Sequence, residues 1–258
     1  MIRLAILLTM AQSTDTISQS TATNAGNTKP LFTTAEVNIM VKLSKTSKLD
    51  GILSWSLQAI ETCPASIKEI VDGVPVLVDA CKGCYATTGF YQFAPAKNMR
   101  AFNKEDWKRD DWVNDMINAL DSSRYFRWFD SGDCFDIRLA EKIFAVMAGT
   151  PWCKHWMPTR MHKFEKFKPV LERMNKLDNV VVRFSSDSIN GGLVAGAYTS
   201  TIVETVEDAG TMTACRAYEN EGKCNGCRSC WNKAVNIVAY VAHGKKMHKV
   251  IKINKEAA

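Results

Sequence analysis

The sequence predicts an α/β protein: a partial (β/α) barrel of about six parallel strands carrying a cysteine-rich, cluster-binding loop near its C-terminus. Short β-branched and aromatic runs alternate along the chain with stretches of helical period. Such alternation requires right-handed crossovers and a parallel sheet. The body, residues 31–258, spends part of its length on the cysteine-rich loop 211–232, whereas a full eight-fold barrel takes about 250 residues. An open doubly wound sheet satisfies the same alternation and stands as the alternative.

Residues 52–57 open the series of strands. Residues 104–120 follow as a helix, with Val113, Met116, Ile117 and Leu120 on one face. The run 125–129 (YFRWF) is the second strand. Residues 136–148 form a helix that aligns Ile137, Ala140, Ile143, Phe144 and Met147. Residues 154–157 are the third strand, and Phe164, Phe167, Val170, Leu171, Met174 and Leu177 repeat the helical stripe. The run 179–184 (NVVVRF), then 201–205 and 235–241, complete the strands.

Ahead of this body, residues 1–30 are expected to form a disordered tail, because 12–29 are rich in Ser, Thr, Asn, Gly and Ala without periodicity. Met1 to Met10 hold one Arg and an apolar run of about seven residues, at the lower limit for a signal peptide, and no small-residue cleavage site follows. Nothing approaches the roughly 18 consecutive apolar residues of a membrane span. The balance of 33 Lys and Arg against 27 Asp and Glu gives +6, too little and too dispersed to indicate a nucleic-acid binder. The basic run 245–255 reads as a solvated face.

Nine cysteines, an odd number with tight Cys-x-x-Cys spacings, do not suit a paired disulfide framework. They suit metal ligation in a reducing, hence cytoplasmic, environment. Cys224, Cys227 and Cys230 lie at Cys-x-x-Cys-x-x-Cys spacing, and Cys215 completes a quartet able to hold an iron–sulfur cluster. Zinc is the alternative, since four thiolates also make a structural tetrahedral site. Cys63, Cys81 and Cys84 form a second, three-membered set. Three cysteines leave one iron of a [4Fe-4S] cluster open to a small ligand; in a simpler reading Cys63 is a small buried core residue.

Polar groups follow three strands in turn: Ser131, Gly132 and Asp133, then Thr159 and Arg160, then Ser185, Ser186, Asp187 and Ser188. In a parallel sheet such positions share one rim. Ser131, Gly132, Asp133 and Ser186 are the candidate ligand contacts, and Asp133, Arg160 and Ser186 the candidate catalytic groups. Arg160 or Arg183 is the charge partner for a carboxylate. Two other readings stay open: Asp133 or Asp136 as an ordinary helix cap, and Arg183 as an outward, solvated side chain. His243, at the end of the last strand, is the one histidine that stands as a candidate ligand, with capping the strand or packing in the rim as its more ordinary role.

In chain order, SWSLQAIETCPAS, ACKGCYATTGFYQ, RYFRWFDSGDCF, WMPTR, VVRFSSDS and CNGCRSCWNKAVNIVAYVAHG resemble the phage-encoded gene product eighty-eight family from about residue 45 onward. The resemblance implies a phage protein expressed in bacterial cytoplasm. A looser similarity runs to radical S-adenosylmethionine enzymes, in which a three-cysteine loop after the first strand binds a [4Fe-4S] cluster and an acidic glycine motif ends the second. Cys81-Lys82-Gly83-Cys84-Tyr85 and Ser131-Gly132-Asp133 stand in those places. One departure is plain: seventeen residues, 64–80, separate Cys63 from Cys81, where those enzymes have three. The expectation is an iron–sulfur protein with one or two clusters, S-adenosylmethionine as candidate cofactor, and a small-molecule ligand or electron donor as partner. Its rival is a non-catalytic zinc protein that engages nucleic acid or a host protein.

Overall fold

A computed structural model describes residues 41–256, all within one compact unit, Asn38–Ala258. The expected tail, residues 1–30, lies outside the described residues. In chain order the elements are β1 (Ser44–Lys45), β2 (Leu53–Trp55), β3 (Ile67–Val71), β4 (Val74–Leu77), α1 (Asp79–Lys82), α2 (Ala94–Asp106), α3 (Trp112–Ala119), β5 (Tyr125–Trp128), α4 (Ile137–Gly149), β6 (Lys154–Thr159), α5 (Lys168–Lys176), β7 (Val180–Ser185), β8 (Thr199–Val203), β9 (Thr213–Cys215), β10 (Ile237–Val241) and α6 (Lys245–Glu256). No helix among the described residues is long and apolar enough to cross a membrane.

One sheet of eight strands runs β1-β2-β5-β6-β7-β8-β10-β9. It is parallel except for β1, which pairs antiparallel to β2. All six expected strands are present. β1 and β9, too short for a periodic signal, extend the sheet beyond the expected six. The sheet is open, with β1 and β9 at its two edges, so no barrel is closed.

From β2 to β8 the strand order never reverses, so right-handed crossovers put the connecting helices on one face. There Trp55, Phe126, Trp128, Met157, Val180 and Val182 from the strands meet Met116, Leu139, Ile143, Met147, Leu171 and Met174 from α3, α4 and α5. α4 is started by Asp136, whose carboxylate accepts the Arg138 amide. Its buried stripe takes in Leu139 and Val146, with Ile137 and Phe144 only partly covered. The expected helix 104–120 is broken into α2 and α3. Arg109 pairs with both Asp106 (2.6 Å) and Asp115 (2.7 Å) and ties the chain into a turn, while Lys142 takes the freed carbonyls of Trp107 and Arg109.

His155 sits inside this face with no exposure. The Trp128 indole donates to its Nδ1 (3.2 Å), its Nε2 meets the Thr150 hydroxyl (2.8 Å), and that hydroxyl donates to the Val146 carbonyl. Only a neutral imidazole suits this chain of donors, and burial lowers the pKa to about 3. The unfolded chain, with His155 near 6.5, binds a proton that the folded one refuses. The stability from His155 is therefore complete above pH 6.5 and drains as pH falls toward 3, by up to about 1.4 kcal/mol per pH unit. His155→Gln should flatten the wild-type decline measured by urea denaturation between pH 4 and 7; parallel curves would reject this.

The opposite face is covered by the C-terminal cysteine loop. Trp231 packs edge-on to Trp156 and Tyr125, with ring centroids at 5.0 and 5.7 Å. Together with Leu49, Trp156 and Trp231 form a small core into which Cys224, Cys230 and Tyr240 fit. α6 closes the rim through Met247 and Ile251, which pack on Ala80 of α1. Its lysines face outward, as a solvated basic run requires.

Candidate functional site

The hairpin β3–β4 fills the interval between Cys63 and Cys81. Asp72 and Gly73 turn it at positive φ (50° and 77°), the two-residue geometry that matches strand twist. The Val78 amide closes its base on the Ser66 carbonyl at 2.9 Å. The chain thus returns towards where it left, and Cys63, Cys81 and Cys84 come near enough for their charges to act on one another although their spacing in sequence is wide. Burial raises the Cys63 thiol pKa, and the charges of Asp133, Cys81 and Cys84 raise it further. Burial also raises Cys81, against the pull of Arg160.

The rim residues foreseen from the sequence hold this trio. Ser131 donates to the Leu57 carbonyl (2.7 Å) and accepts the Leu57 amide on its own carbonyl (3.0 Å); the Asp133 amide binds Thr62 O, one residue before Cys63 (3.1 Å). Gly132, at φ 80°, lets the two loops touch: a Cβ there would lie 2.7 Å from both Leu57 Cβ and Thr62 Oγ1. Asp133 is buried and accepts from Thr159 Oγ1, the Arg160 amide and the Cys134 amide. Burial raises its pKa, and these three donors oppose the rise. Arg160 binds Asp187 (3.2 Å) and the Ser186 carbonyl (2.8 Å). The Asp187 carbonyl receives the Ala80 amide next to Cys81 (3.0 Å). Cys134 and Cys153 stand apart in the helix-side core.

At the other set, Cys215, Cys224, Cys227 and Cys230 line a cavity of about 500 Å³, together with Arg216, Asn225, Ser229 and Trp231 among others. The four differ in environment. Cys227 is exposed. Cys230 is part-buried with its thiol 3.3 Å from the Tyr240 hydroxyl. Burial lifts Cys230 to about 11, while the Tyr240 hydrogen bond and the charges of Arg183 and Arg127 draw it down. Among the described residues no three His, Cys, Asp or Glu side chains converge on a point that a single ion would fill.

Two arginines organise this region: Arg183, expected as a charge partner for a carboxylate but bound instead to backbone carbonyls, and Arg127, which the sequence did not single out. Arg183, fully buried, points into the cysteine loop and donates to five carbonyls, those of Ser229, Cys230, Asn232, Val235 and Asn236. The outward, solvated reading of it is therefore corrected. Arg127 pairs with Asp130 (2.9 Å), donates to the Tyr85 hydroxyl (3.2 Å) and lies over the Trp156 ring (4.7 Å). Tyr91 donates to the same Asp130 carboxylate (2.6 Å). Phe129, between Arg127 and Asp130, takes φ 56°, an uncommon conformation for a bulky residue and one concentrated at functional sites. The available signal was an arginine alternating with large apolar residues in each strand, which places it on the face opposite theirs.

An open, mostly parallel α/β sheet with two separate cysteine sets, a trio at the rim of its strands and a quartet beside it, defines the class of protein. The chain belongs to the Gene product 88 family, whose family model matches residues 17–255. No curated protein and no solved structure matches it, and a likeness to radical S-adenosylmethionine enzymes is not shown.

Proposed function

We propose that the protein is a cytoplasmic iron–sulfur enzyme of redox or radical type, with Cys63, Cys81 and Cys84 as ligands of one [4Fe-4S] cluster and Cys215, Cys224, Cys227 and Cys230 as ligands of a second. The observation that supports this reading is the hairpin, which cancels the long interval between Cys63 and Cys81 and leaves the three thiols within range of one another's charge near the strand-end rim. The remaining cysteines, Cys134 and Cys153, are in the core, so the trio has no fourth thiolate and one iron would stay open. Such an iron supplies low-potential electron transfer to a small ligand.

For the quartet a cluster is the proposed occupant, with zinc as the alternative. The four thiols line a cavity with room for a group larger than one ion, which supports the cluster; zinc would draw four sulfurs to about 2.3 Å around one point. Asp133, Arg160 and Ser186 then position the trio and charge its surroundings. S-adenosylmethionine, with an ammonium for Asp133 and a carboxylate for Arg160, is the proposed ligand of the open iron. A rim built in chain order around the trio is also the arrangement a partial barrel would have.

Anaerobically isolated protein should be brown and contain iron and acid-labile sulfide. Replacing Cys63, Cys81 and Cys84 together by Ala should remove about four irons and abolish the response of the electron paramagnetic resonance signal to S-adenosylmethionine. Colourless protein holding only zinc would overturn the assignment in favour of a structural zinc protein. Intact clusters with a spectrum indifferent to the ligand would remove S-adenosylmethionine alone.

A further inference from the structure

Independently of what the cysteines hold, we propose that the surface formed by residues 85–97 and the N-terminal half of α6 binds single-stranded DNA, with bases stacked on Phe90 and Phe93 and phosphates held by Lys97, Lys245 and Lys249. Phe90 and Phe93 stand edge-on to each other, ring centroids 5.2 Å apart, in and just after a short 3-10 turn, Gly89–Gln92. They are 80% and 56% exposed. Apolar rings so open to water add little to the fold and mark a contact surface. Lys97 is exposed one helical turn on, its amide donating to the Phe93 carbonyl (3.0 Å). α6 joins the same surface: the Lys246 ammonium reaches Thr87 Oγ1 (2.8 Å), and Met247 packs where a Cβ on Gly83 would lie 2.7 Å from its Cε.

α6 carries five lysines and one acid, Glu256. Among the described residues Lys252 and Lys255 meet carboxylates, whereas Lys97, Lys245, Lys246 and Lys249 enter no ion pair. The fold thus gathers on one surface positive charge that looks dispersed along the chain. The aromatic track continues on the rim, where the His243 ring neighbours those of Tyr85 and Tyr218, at 6.3 and 4.0 Å, and Lys48 stands over Tyr218. The same residues select the partner. Rings of this kind stack on unpaired bases, so a duplex does not fit. α6 spends Met247 and Ile251 on Ala80 and Ala242, leaving only Ile253 largely exposed, so it lacks the apolar stripe by which a basic helix enters a lipid surface. The Thr87 and Thr88 hydroxyls donate to the Cys84 and Tyr85 carbonyls, and the Gln92 amide to that of Ala86. Committed to backbone, these groups do not serve to read a 2′-hydroxyl, by which RNA is told from DNA.

The test uses the full chain as isolated and a fluorescein-labelled oligothymidylate, read by fluorescence anisotropy at low salt. Phe90→Ala together with Phe93→Ala should weaken binding about tenfold or more through loss of stacking. Lys245→Gln together with Lys249→Gln should weaken it too, and should lower the slope of log affinity against log salt by about 0.7 for each lysine removed. All four side chains are exposed, so the urea midpoint should stay at its wild-type value, and Lys176→Gln on α5 should leave binding unchanged. Affinity untouched by the phenylalanine pair overturns the proposal, as does equal affinity for the duplex with oligoadenylate. Tighter binding to oligouridylate overturns it in favour of RNA. Failure to bind oligothymidylate, with binding to phosphatidylserine vesicles instead, overturns it in favour of a lipid surface.

Discussion

Arg183→Met should loosen the C-terminal cysteine loop and cost about 3–5 kcal/mol, because five carbonyls lose their common donor at once, and on the proposed cluster reading metal bound there should fall with it. The guanidinium is the common donor to five carbonyls spread over residues 229–236. Methionine fills similar volume but leaves those carbonyls buried and unpaired. The loop would move away from the sheet, taking Cys230 with it. Arg183→Lys keeps the charge and can reach only one or two of the carbonyls, so it should fall between wild type and Arg183→Met. The urea midpoint and metal content decide the matter. Wild-type values of both in Arg183→Met would show that the loop holds its shape without the arginine.

Gly132→Ala should be nearly as damaging, at about 2–4 kcal/mol, because two costs add: a left-handed backbone and a steric clash. The added methyl would meet Leu57 Cβ and Thr62 Oγ1 at 2.7 Å, and Thr62 precedes Cys63. On the proposed cluster reading, metal held by the trio should therefore fall along with stability. Gly73→Ala in the hairpin turn is the matched control. Its φ is similar, 77°, but a Cβ there meets nothing within 4 Å. It should cost only the conformational part, about 1 kcal/mol, and leave metal content unchanged. Equal effects of the two substitutions would show that contact with the Cys63 loop is unimportant.

The elements were legible where the pattern is local and long. Strands such as residues 179–184 announce themselves because β-branched residues crowd a pleated surface, and α4 shows its face within three turns. β1 has two residues and β9 has three, too few for any period to appear. The break between α2 and α3 was invisible because it depends on Lys142, which arrives from α4 to take carbonyls that a continuous helix would have used.

The candidate site divides in the same way. By itself the sequence determined that two cysteine groups exist, that the quartet has ligand spacing, and that Ser131 to Asp133, Arg160 and Ser186 follow parallel strands and so share a rim. These are matters of covalent spacing and of strand direction. Only the tertiary structure decided that Cys63 lies near Cys81 and Cys84, because a hairpin's closure depends on pairing between Ser66 and Val78, twelve positions apart. Only it decided that Arg183 and Arg127 turn inward. A strand's period fixes which residues share a face, but which face is solvent and which is covered is settled by whatever packs there, in this chain the cysteine loop arriving from nearly fifty residues downstream of Arg183.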